Sequence, residues 1–117
     1  MPKYLFTYRM PLAAYQAPPR VSQDEAMAPW VAFFAEMGSA VVDPGQPVAE
    51  RTELGEVGPS TVLAGYSLVD AADLEAATAL AAKSPSVDQG GGVEVGMLID
   101  LPLDHTAGKA AHRASTL

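Results

Sequence analysis

A chain of 117 residues is sized for one domain, and 49% hydrophobic with 18% charged residues describes a folded protein, not a disordered one. Fourteen acidic residues stand against seven basic ones, and the net charge of −7 repels phosphate backbones and anionic lipid, which excludes nucleic acid and membrane surfaces as expected partners. Cysteine is absent, so no disulfide, thiolate nucleophile or Cys-ligated metal is available; with an N-terminal apolar stretch too short for a signal peptide, the expected location is cytoplasmic.

Lys3 to Arg9 alternates weakly and is rich in aromatic residues, as a strand is. Met10 to Val21 carries Pro11, Pro18 and Pro19 and reads as a loop longer than a plain connection needs. Ser22-Gln23-Asp24-Glu25 has the pattern of a capping box. Beyond it Met27, Trp30, Val31, Phe34 and Met37 fall on a helical apolar stripe, and Gly38 suits the C-terminus. Pro29 conflicts with that helix, which is expected to kink there or to start near Ala28.

Ser39 to Asp43 reads as a short strand, closed by the turn signal Pro44-Gly45. Gln46 to Gly58 is polar, with room for strand continuation to about Val48 and then a charged hairpin tip. Ser60 to Asp70 is the clearest strand. Val62, Ala64, Tyr66 and Leu68 are expected on one face and Leu63, Gly65 and Val69 on the other; with both faces apolar, the strand is expected to be central. Asp70 or Asp73 caps a second helix running through Leu74 to Lys83, and Ser84-Pro85 stops it. Gly90-Gly91-Gly92 is a connector, and Val93 to Ile99 is the last strand. The boundaries are one domain over 1–103 and a tail over 104–117 that is frayed or forms a short docking helix.

The order strand, helix, strand, strand, helix, strand predicts an α+β protomer: a ferredoxin-like βαββαβ unit with a four-stranded antiparallel sheet and both helices on one face. The other face is left bare, and a bare apolar face needs a partner. A twofold homodimer through that face, a dimeric α+β barrel, is the simplest symmetric solution.

Several stretches together resemble the YCII-related (DGPF-like) domain: Lys3-Tyr4-Leu5-Phe6-Thr7-Tyr8, the helix with Trp30 and Phe34 ending in Met37-Gly38, Gly65-Tyr66-Ser67-Leu68-Val69, Asp73-Leu74-Glu75-Ala76-Ala77, Ser84-Pro85 and Gly92-Val93-Glu94-Val95. The resemblance covers about residues 1–100 and implies a dimeric α+β barrel with a ferredoxin-like protomer. It also implies, for the members proposed to be enzymes, a histidine in the first helix and an aspartate before the proline that follows the second. This chain departs at both places, because Ala26 to Met37 holds no histidine and Ser84 precedes Pro85.

Six residues are candidates for a pocket. Tyr8 and Arg9 end the first strand beside the long loop, where a phenol can donate a proton and a guanidinium can bind a carboxylate. Trp30, Phe34 and Tyr66, with Phe33 beside them, could line an apolar pocket between helix and sheet, although such rings more often simply form the core. Glu94 sits in an otherwise apolar strand, as a general base if buried or as a solvated edge residue if not. His105 and His112 lie in the tail without a converging acid and make a poor metal site, and the triple glycine does not lead from a strand into a helix as a phosphate loop does. No metal or cofactor is expected. Two readings stay open: a ligand-binding or regulatory dimer, and a cofactor-independent enzyme acting on a small aromatic or carbonyl compound.

Overall fold

The structure is a computed structural model and describes residues 1–58 and 60–101. The proposed tail over 104–117, with His105 and His112, lies outside the described residues. Strand β1 (Lys3–Pro11) is followed by a short helix α1 (Leu12–Gln16) and the long helix α2 (Gln23–Met37). Strands β2 (Val41–Asp43) and β3 (Thr61–Asp70) come next, then helices α3 (Leu74–Ala81) and α4 (Pro85–Asp88), and last β4 (Gly92–Met97). The strands form one antiparallel sheet in the order β2-β3-β1-β4, which places β3 and β1 at the centre and is compatible with a ferredoxin-like protomer.

Local chemistry explains the helix ends. The Ser22 hydroxyl accepts from the Glu25 N–H at 3.2 Å, and Asp73 Oδ1 accepts from the Ala76 N–H at 2.8 Å, so Asp73 and not Asp70 caps α3. Gly38 ends α2 with φ +56° and donates its N–H to the Phe34 carbonyl. The helix runs through Pro29 from Gln23 to Met37 and does not begin at Ala28. Pro29 is exposed, so the bond it cannot make is lost on the solvent side, where the orphaned carbonyl meets water.

Four further features differ from the sequence reading. The Met10–Val21 stretch is not all loop: β1 extends to Pro11, and α1 follows directly. Gly38–Ala40 is a single 3-10 turn, so β2 begins only at Val41. Helix α3 ends at Ala81 and not at Lys83, and Pro85 takes the first position of α4, where its missing N–H costs nothing. Strand β4 ends at Met97, although the Leu98 N–H still bonds the Lys3 carbonyl at 2.8 Å.

The faces of β3 also change. Tyr8 pairs with Gly65, but the next residue, Arg9, pairs with Leu63. Ala64 is the extra residue of a β-bulge, and beyond it the alternation inverts. Gly65, Ser67 and Val69 therefore share the helix side with Val62, while Leu63 joins Tyr66 and Leu68 on the bare side. One cluster of buried residues holds the helix side together. It contains Tyr4, Phe6 and Tyr8 of β1, Phe33 and Met37 of α2, Val69 of β3, and Ala77 and Ala81 of α3. Both long helices thus cover the same sheet face.

Candidate functional site

The helix side is not filled along its whole length. A pocket of about 460 Å³ opens between the N-terminal half of α2, the Tyr8–Met10 end of β1, α4 and the segment 44–48. That volume falls in the range of small-molecule sites. Met27, Trp30 and Phe34 supply the helical wall at i, i+3 and i+7, so one face of α2 points them together. The rings of Trp30 and Phe34 lie 6.2 Å apart and tilt by only 35°, and Tyr8 meets Trp30 edge-on with centroids 4.7 Å apart.

The opposite wall is main chain. Segment 44–48 runs beside β3 as a detached continuation of β2: Pro47 bridges Gly65, and the Val48 N–H bonds the Ala64 carbonyl at 2.8 Å. Two glycines permit this approach. A Cβ on Gly65 would lie 3.1 Å from the Gln46 carbonyl oxygen. Gly45 has φ +74°, and a Cβ there would collide with the Tyr66 carbonyl. The Asp43 carboxylate fixes the same turn by accepting from the Gly45 N–H at 2.8 Å.

The Tyr8, Tyr15 and Ser86 hydroxyls beside the pocket are committed to protein partners. Tyr8 donates to Ser67 at 2.8 Å, and Ser67 donates to the Pro44 carbonyl at 2.7 Å, a relay that pins the main-chain wall to the centre of the sheet. Burial pushes the Tyr8 phenol up to about 12, against a smaller lowering by its hydrogen bond with Ser67. Tyr15 of α1 donates to the Ala49 carbonyl at 2.9 Å and so clasps the far end of the same segment. Ser86 shares a hydrogen bond of 3.0 Å with buried Ser84.

Of the six candidate residues, Tyr8, Arg9, Trp30, Phe34 and Tyr66 border the pocket and Glu94 does not. Glu94 pairs with Thr7, which pairs with Tyr66, so strand alternation places its side chain on the bare side, where it is exposed. Arg9 and Tyr66 also alternate to the bare side, so they border the helix-side pocket from its floor. Arg9 is engaged there: its Nε donates to Thr61 Oγ1 and its Nη2 to the Thr61 carbonyl, each at 2.9 Å. Tyr8, Arg9 and Glu94 do not converge on one point.

Sequence reasoning missed Met10, Met27, Tyr15 and the 44–48 wall as pocket components. The Pro44-Gly45 turn and Gly65 were the available signals for that wall, since glycine in a strand marks close approach of another backbone. Among the described residues no group of His, Asp or Glu side chains is arranged to hold a metal ion, and no helix is long and apolar enough to cross a membrane. No protein-family model matches the chain, and no curated protein is significantly similar to it.

Proposed function

We propose that this protein is a YCII-related ligand-binding module that acts as a homodimer, and that it binds a small molecule in the helix-side pocket without transforming it. The observation that carries this reading is a pocket of about 460 Å³ walled by Trp30, Phe34 and Tyr8, in which the Tyr8, Tyr15 and Ser86 hydroxyls already serve the fold. A general acid must be free to give up its proton near neutral pH. The Tyr8 phenol is held far above that range and donates to Ser67. The positions at which the resemblance implies an acid–base pair hold no histidine on α2 and Ser84 before Pro85, and Ser84 is buried against Ser86. These facts favour binding over cofactor-independent catalysis.

The homodimer rests on the bare sheet face. Leu5, Tyr66 and Leu68 are half-buried there and Leu63 is exposed, and no helix among the described residues covers them. A twofold pairing of these faces would bury them in a shared interior. The protein would work in the cytoplasm.

Trp30 is the chain's single tryptophan and borders the pocket, so its emission reports occupancy directly. A library of small aromatic compounds should produce saturable changes in Trp30 fluorescence. Met27→Trp, which fills the mouth from an exposed position, should abolish binding measured by calorimetry while leaving the far-ultraviolet circular dichroism unchanged. Binding that survives Met27→Trp would place the site elsewhere. Light scattering at micromolar concentration tests the assembly, and a monomer would refute it.

A further inference from the structure

The walls of the pocket also select a ligand class. We infer that its ligand is an uncharged, planar aromatic molecule of one or two rings bearing a neutral hydrogen-bonding group such as a hydroxyl, carbonyl or amide. This inference rests on the ligand-binding reading above and makes it specific.

Shape gives the planarity. One wall is the tilted pair Trp30 and Phe34, and the other is the proline- and glycine-rich main chain of Pro44, Gly45 and Pro47 lying against Gly65. Val48, at the far end of the main-chain wall, is the one branched aliphatic residue that borders the slot among the described residues. A flat ring fills such a slot and gains stacking or edge contacts with Trp30, Phe34 and the thioethers of Met10 and Met27. A flexible acyl chain would gain the same apolar burial but lose rotational freedom on entering.

Charge gives the neutrality. Arg9 is the one ionisable group of formal charge that borders the pocket, and its guanidinium is engaged by Thr61 on the bare side. No carboxylate borders the pocket among the described residues, so a cationic ligand would also lack a partner. An ion entering an apolar slot without a counter-charge keeps its desolvation cost uncompensated. The polar groups left at the rim are the amides of Gln46 and Gln89. Among the described residues neither side-chain amide is hydrogen-bonded within the protein, and both offer a neutral donor and a neutral acceptor.

Calorimetric titration of the full chain at neutral pH with 2-naphthol, 2-naphthoate and 1-decanol separates the possibilities. All three carry a large apolar body; only the first is both planar and neutral. The inference predicts that 2-naphthol binds at one site per protomer, that 2-naphthoate and 1-decanol bind at least ~10-fold more weakly, and that Met27→Trp removes the 2-naphthol heat. Equal or tighter binding of 2-naphthoate would overturn neutrality, and equal or tighter binding of 1-decanol would overturn planarity; either result would leave the ligand-binding reading standing if Met27→Trp abolished it. Absence of binding by all three would reject the ligand-binding reading and this inference together.

Discussion

The two ends of the covered sheet face are built from the same strands and differ in what they enclose. At one end Tyr4 pairs with Val69 and Phe6 with Ser67, and the space above them is closed. At the other end Tyr8 pairs with Gly65, and the space above is the pocket. Along β3 the helix-side residues shrink from Val69 to Ser67 to Gly65, while β1 keeps a ring at each facing position. The coverings differ too. Small Ala77 and Ala81 let α3 seat closely, whereas α2 spans the open end with the large, partly buried rings of Trp30 and Phe34, of which Trp30 meets Tyr8 edge-on. A packed core and an open pocket here differ by side-chain volume along one strand, not by a change of fold.

The largest effect should come from emptying the closed end. Phe6 is wholly buried, and Phe6→Ala is expected to cost about 3–5 kcal/mol in urea unfolding. Met27→Ala at the open end should change stability by less than ~1 kcal/mol, because Met27 is exposed, yet weaken ligand binding. Similar losses for the two variants would erase the distinction between core and pocket.

Next in size is the main-chain wall. Gly45→Ala forces an L side chain to φ +74° and into the Tyr66 carbonyl, for an expected loss of about 2 kcal/mol or more. The wall should loosen before the sheet does. Hydrogen exchange of the Val48 amide, bonded to Ala64, should accelerate more than that of amides within the β1–β3 ladder. Uniform acceleration would show that segment 44–48 is not a separable wall.

A smaller effect belongs to the relay. Tyr8→Phe removes the hydroxyl but leaves Ser67 bonded to Pro44, so the expected loss is about 1 kcal/mol. Its signature is in pH. The unfolded chain releases the Tyr8 proton at the ordinary value near 10, whereas the folded protein holds it to about 12. The folded state therefore binds more protons across that window, and stability contributed by Tyr8 is full below pH 10 and lost as pH rises toward 12. Tyr8→Phe should flatten this part of the stability profile, and an unchanged slope would assign it to other groups.

Much of the frame was readable from residues. The strand and helix order, the caps at Ser22 and Asp73, the Gly38 end and the continuation of β2 toward Val48 all follow from local chemistry that the structure repeats. The bulge at Ala64 was not legible, because Thr61–Asp70 reads as an apolar strand in either alternation. Missing it put Gly65 in the right set but Val62 and Leu63 on the wrong faces. Trp30, Phe34 and Tyr8 could be named as ring-bearing candidates, but a core stripe and a pocket wall have the same period. What separates them is the volume missing opposite, at Gly65, and that depends on strand pairing.

The smallest expected effect discriminates most sharply between the two faces. Glu94 sits on the bare side, exposed, across from Thr7. If the functional pocket is the helix-side one, Glu94→Gln should leave affinity for an aromatic ligand unchanged and shift stability by less than ~0.5 kcal/mol. If a twofold pairing instead encloses a working cavity between the bare faces, Glu94 would be buried in it and its charge would matter. A tenfold or greater loss of ligand affinity in Glu94→Gln, roughly 1.4 kcal/mol, would move the site to that shared interior.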